Sequence, residues 1–104
     1  MELAILTLKT MLEEAKMPII YTEDGSVKQI VLLSKRGGYL ADAVQYPLSH
    51  GYDDNLIEIL NAITEEERAR YRTLTLGYLP VEEVFKRFKY CYENNTSVYK
   101  EEKN

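Results

Sequence analysis

The chain has one cysteine, one histidine and no tryptophan among its 104 residues, and that scarcity excludes most site chemistry at the outset. Zinc sites and nucleophile–base pairs bring at least two of Cys, His and a placed carboxylate into one locus. His50 and Cys91 are far apart in sequence, and neither has a second residue of its kind. A single cysteine cannot close an internal disulfide, which fits a reducing compartment. Glycine is also sparse. Lys35-Arg36-Gly37-Gly38 lacks the Gly-x-x-x-x-Gly-Lys-Ser/Thr frame of a phosphate-cradling loop and reads as a charged hairpin turn. No stretch approaches the length of a membrane span, and the opening Met1-Glu2-Leu3-Ala4-Ile5-Leu6 has no positive n-region. The expectation is a soluble, cytoplasmic protein with no cofactor and no metal, acting by binding rather than by catalysis.

What is present is an ordinary globular composition with one unusual bias. Hydrophobic residues make up 45% and charged residues 29%, which places the chain outside the disordered range. The length corresponds to one domain with a modest core. Nine tyrosines stand against two phenylalanines. Tyrosine combines a large apolar body with a polar tip, so it suits the boundary of a small core and contact surfaces. The net charge of −4 argues against non-specific binding to nucleic-acid backbones, which needs clustered, uncompensated Lys and Arg. Residues 1–52 carry six acids and five bases, and residues 53–104 carry eleven acids and eight bases. The second half is the more acidic.

Apolar spacing then suggests the elements. Leu3, Ile5, Leu6, Leu8, Met11, Leu12 and Ala15 predict an amphipathic helix closed by Pro18. Asp24-Gly25 between two β-rich runs predicts a hairpin, with strands before it and from Val27 to Ser34. Val31 and Leu33 fall on one face of that second strand and Ile30 and Leu32 on the other, the pattern of a central strand. A third strand is expected from Tyr39 to Val44. Leu56, Ile59, Leu60 and Ile63 have helical spacing behind a cap at Asp53 or Asp54. Thr64-Glu65-Glu66-Glu67 has capping-box spacing and starts a helix through about Arg72. Leu74, Leu76 and Leu79 read as an apolar connector. Pro80 opens a last helix with the stripe Val81, Val84, Phe85, Phe88 and Cys91 or Tyr92, capped by Asn94 or Asn95. The expected fold is α+β, with an N-terminal helix on a three-stranded antiparallel sheet followed by three C-terminal helices (α-β-β-β-α-α-α). Residues 1–95 form the single domain and 96–104 a polar tail.

Candidate sites are few. Cys91 on an apolar stripe reads as core filler, and His50, beside Ser49, Asp53 and Asp54, as a solvated or capping side chain. In the last helix Glu82 and Glu83 precede Lys86 and Arg87 by four residues, a spacing that neutralises much of the basic patch. The densest carboxylate zone is Asp53, Asp54, Glu58, Glu65, Glu66 and Glu67. It lacks the alternating ligands and central glycine of a calcium loop, and acids are favoured in first helical turns. Its functional reading is an acidic surface that docks on a basic protein, with Tyr46 and Tyr52 as adjoining contacts; the charge argues against nucleic acid as the partner, and no membrane is expected.

Two resemblances accompany these residues. The size, acidity and α-β-β-β-α-α order resemble small phage- or mobile-element-encoded proteins, including anti-CRISPR inhibitors of Cas9-type nucleases. The resemblance lies in element order and implies mimicry, with surface carboxylates occupying the arginines or basic channel of a nucleic-acid-binding protein. The run from Thr64 to Phe88 resembles the approach to a helix-turn-helix, which implies the alternative of a DNA-binding regulator using the last helix. That motif requires a glycine turn and a recognition helix after Phe88. This helix instead continues through Cys91 to the Asn pair.

Overall fold

The computed structural model describes residues 2–101. A first helix, α1 (Ala4–Glu14), is followed by three strands, β1 (Ile19–Asp24), β2 (Val27–Leu33) and β3 (Tyr39–Gln45). A single 3-10 turn at Tyr52–Asp54 leads to β4 (Ile57–Leu60), then α2 (Glu65–Tyr71), β5 (Thr75–Leu79) and α3 (Val81–Asn94). The five strands form one antiparallel sheet in the order β1-β2-β3-β4-β5. Among the described residues, no helix is long and apolar enough to cross a membrane.

The expected three-stranded sheet with three C-terminal helices is therefore corrected to five strands and three helices among the described residues. Both errors arise where two periodicities compete. Leu56, Ile59, Leu60 and Ile63 fit a helix, but Ile57, Glu58 and Ile59 also alternate, and Ile59 pairs with Ala43 of β3. The backbone settles the competition locally, because Gly51 and Asn55 adopt left-handed conformations that break any helix starting at Asp53. The Leu74-to-Leu79 connector is β5. Its register against β4 shifts between the pairs Ile57↔Leu79 and Ile59↔Leu76, and this bulge hides the period-two signature. β5 also separates α2 from α3, and the element order that carried the first resemblance is not the order observed.

The core lies between the helices and one face of the sheet. Register places Ile30, Leu32, Ala41, Ala43 and Ile59 on that face. Against them pack Ile5, Leu8 and Leu12 of α1 and Val84, Phe88 and Cys91 of α3. Helix α1 has no side-chain cap of its own at Leu3. Its first amides are capped from the sheet instead: Ile5 N donates to Oε1 of the buried Gln45 and Ala4 N to Oδ1 of Asn55, each at 2.9 Å. Orphan amides at a helix start thus lock α1 to β3 and its following loop.

Residues 96–101 are not a free tail. Ala62 N donates to the Ser97 carbonyl and Tyr99 N to the Ile63 carbonyl, and the Tyr99 ring is buried. The remainder of the expected tail, 102–104, lies outside the described residues, as does Met1. Tyr99 covers Arg87, itself buried, whose guanidinium carbon sits 4.8 Å from the Tyr99 ring centroid. Arg87 donates to both carboxylate oxygens of Glu67 and to Glu83, all at 2.8 Å, and to the Ala62 carbonyl. Glu67 also completes the expected capping box with Thr64.

Two outcomes follow from this packing. Phe88 is fully buried, so Phe88→Ala should cost about 3–5 kcal/mol in a denaturant titration; a loss below about 1 kcal/mol would be incompatible with a core position. Hydrogen bonds from Arg87 hold the Glu67 carboxyl below its ordinary value. Because the folded value is depressed, the stability this group contributes is present above the unfolded carboxylate pKa and is lost as pH falls through the folded one. Thermal melts between about pH 6 and about pH 3 should show a steeper acid-side loss for the wild type than for Glu67→Gln. Equal slopes would refute the pairing.

Candidate interaction surface

Helices α1 and α3 both occupy the core side of the sheet, and α2 is tied to that side through Glu67 and Arg87. Among the described residues, no helix covers the second face. Register builds that face residue by residue. One row crosses all five strands as Ile20, Val31, Asp42, Leu60 and Thr75. The next row is Thr22, Gln29, Val44 and Glu58. Large apolar groups stand in water here: Ile20 and Tyr39 are each 49% exposed and Leu60 is 39% exposed. Ile20 and Leu60 lie three strands apart in one row, with Val31 and Asp42 between them, and Tyr39 reaches that row through its bond to Asp42.

The middle of the face is polar and fixed. Asp42, nearly buried, accepts from the Tyr39 hydroxyl and from Gln29 Nε2, and the Tyr39 oxygen in turn accepts from Asn61 Nδ2. Burial and the bond to Asp42 push the Tyr39 phenol up to about 12, so it remains a donor at neutral pH. Neither partner of Asp42 carries positive charge.

One corner of the face is built by close backbone approach. The loop after β3 meets β5 where Tyr78 N donates to the His50 carbonyl at 3.1 Å. Tyr78 is held at a φ of 60°, an unusual conformation for an aromatic residue. A Cβ on Gly77 would collide with His50, and one on Gly51 would lie 2.9 Å from Leu56 Cβ and Tyr78 Cα. The two glycines therefore permit a contact that no larger residue allows. The result is a stacked His50–Tyr78 pair with His50 Nδ1 3.1 Å from Glu58 Oε1. Tyr78 is 61% exposed.

The carboxylate zone expected from sequence does not assemble as one surface. Asp53 and Asp54 are exposed in the turn before β4, and Glu65 and Glu66 are exposed at the start of α2, beyond its other end. Four residues of strand span roughly 13 Å. Glu58 lies on the open face against His50, and Glu67 is committed to Arg87. Tyr46 and Tyr52 are half-buried in the β3–β4 loop, beside Asp53 and Asp54. A cleft of about 750 Å³ runs past Glu65 and Glu66, lined by Tyr90, Asn94, Thr96 and Tyr99 among others. No protein-family model matches this chain, and no curated protein or solved structure matches it either.

Sequence reasoning missed Ile20, Tyr39, Asp42 and Leu60. The available signal is β2, apolar on both faces, the pattern of a central strand; β2 is indeed paired on both edges, and that pattern does not say which of its faces the helices cover. Cys91 is fully buried, and burial raises its thiol to about 11, so it is no nucleophile at neutral pH. On α3, Lys86 pairs with Glu83 at 3.1 Å rather than with Glu82, and Lys89 lies 3.9 Å from Glu93.

The corner geometry has a direct test. Gly77→Ala should lower stability by about 1–3 kcal/mol through overpacking and should shift the ring resonances of His50 and Tyr78. Gly38→Ala, where an added Cβ meets only Ser34 Oγ at 3.4 Å, should leave both unchanged. Undisturbed His50 resonances in Gly77→Ala would disprove the close approach.

Proposed function

We propose that this protein is a non-enzymatic protein-interaction module whose contact surface is the open face of its sheet. The observation that supports this reading is the set of apolar and aromatic side chains, Ile20, Tyr39 and Leu60, left in water on a face that no helix covers among the described residues. Interaction surfaces have this character: an apolar and aromatic centre with polar groups fixed among it. The centre here is rigid. It stands on hydrogen-bonded strands, and Asp42, Gln29, Tyr39 and Asn61 hold one another in place, so little ordering is lost on contact.

The test compares tagged wild type with the double variant Ile20→Asp/Leu60→Asp, using capture from the native host's lysate and reconstitution with the purified captured protein. The double variant should lose the reconstituted complex while melting as a folded domain. Glu65→Gln/Glu66→Gln should keep it. A complex that forms equally well with the double variant would eliminate the face as the contact surface.

A further inference from the structure

The open face carries a charge pattern that narrows its occupant. Its strand positions include three carboxylates, Asp24, Asp42 and Glu58, and no Lys or Arg, although the chain has thirteen of these. Asp24 pairs with Val27 across the hairpin, on the same side of the sheet as Ile20 and Val31. Among the described residues, no Lys or Arg forms an ion pair with any of the three; Glu58 has His50, and Asp42 has only the neutral donors Tyr39 and Gln29. The basic residues of this region lie elsewhere: Lys28 is directed to the helix side with Glu23, and Lys35 lies over the Tyr92 ring.

From this we infer that the open face takes one basic amphipathic helix of a partner protein, its apolar stripe on Ile20, Val31 and Leu60 and its Lys or Arg side chains toward Asp24 and Glu58, which flank that row. The inference rests on the open-face reading above and adds the chemistry of the partner. A second copy is the wrong occupant, because two such faces would oppose six carboxylates with no Lys or Arg from either set of strands, and like charges at a contact select against it. Nucleic acid and anionic lipid are disfavoured by the same sign of charge. The dimensions suit a helix. Five strands about 4.8 Å apart span roughly 19 Å, the length of a helix of about 13 residues. A helix laid there would complete a three-layer arrangement, with helices on both sides of one sheet.

The probes are two synthetic helical peptides with the same leucine stripe, one flanked by Lys and the other by Glu. Binding is followed by fluorescence anisotropy and by amide shifts of the full chain at low and high salt. The Lys peptide should bind about tenfold or more tightly than the Glu peptide, weaken as salt is raised, and shift the amides of Ile20, Val31 and Leu60. Asp24→Asn/Glu58→Gln should weaken it about five- to tenfold, and Glu65→Gln/Glu66→Gln by less than about twofold. Equal binding of the two peptides, no binding of either, or equal loss in both double variants would overturn the basic-helix inference while leaving the lysate test of the face intact. Self-association mapped to Ile20 and Leu60 would also overturn it, and would keep the face as a contact surface for a second copy.

Discussion

The buried guanidinium of Arg87 ties α2, which adds no buried residue to the apolar core, to the rest of the fold. It reaches Glu83 on its own helix, both oxygens of Glu67 on α2, the Ala62 carbonyl between β4 and α2, and the ring of Tyr99 from the C-terminal segment. Removing an arginine from water is costly, and the cost is offset only when its donors are matched with good geometry. That condition is met by the two-pronged contact with Glu67. Burial alone would lower the Arg87 pKa, but the two carboxylates outweigh it and hold the charge in place. Helix α2 depends on this arrangement most directly, since none of its seven residues is buried. Its position is set by one carboxylate and a capping box rather than by an apolar stripe.

A one-sided architecture is the consequence. Only α1 and α3 present long apolar stripes, and both are used on the same face of the sheet. The short, polar α2 cannot cover the other. A five-stranded sheet with two covering helices therefore leaves Ile20, Tyr39 and Leu60 in water, and the tyrosine bias of the composition is consistent with such a boundary, where a ring can pack while its hydroxyl stays hydrated. Elsewhere tyrosine serves the interior: Tyr99 is buried with Tyr90 set edge-on to it.

Non-local polar contacts finish what local sequence leaves open. The start of α1 is capped by Gln45 and Asn55, some forty and fifty positions away in the chain. The β3–β4 loop is seated on β5 by Gly51 and Gly77. These contacts join the first helix, the middle loop and the last strand.

Much of the fold was legible because it is written in short-range patterns. The hairpin of β1 and β2 follows from Gly25 between β-rich runs, the start of α2 from Thr64 and Glu67, and α3 with its buried Phe88 and Cys91 from a helical stripe bounded by Pro80 and Asn95. The ion pair between Glu83 and Arg87 was legible too, as a four-residue spacing. What escaped was decided by pairing partners distant in sequence. Ile57 to Leu60 carries both a helical and a strand signal, and only its ladder with β3 selects the strand; β5 is masked by its bulge. The candidate contact surface escaped for the same reason. Alternation along β2 shows that both its faces are apolar, but which of them the helices cover is a property of the assembled layers. The sequence by itself determined the hairpin and the last two helices. Tertiary structure alone decided that Ile20, Asp42 and Leu60 share one face left uncovered by the described helices, because only strand register brings them into one row.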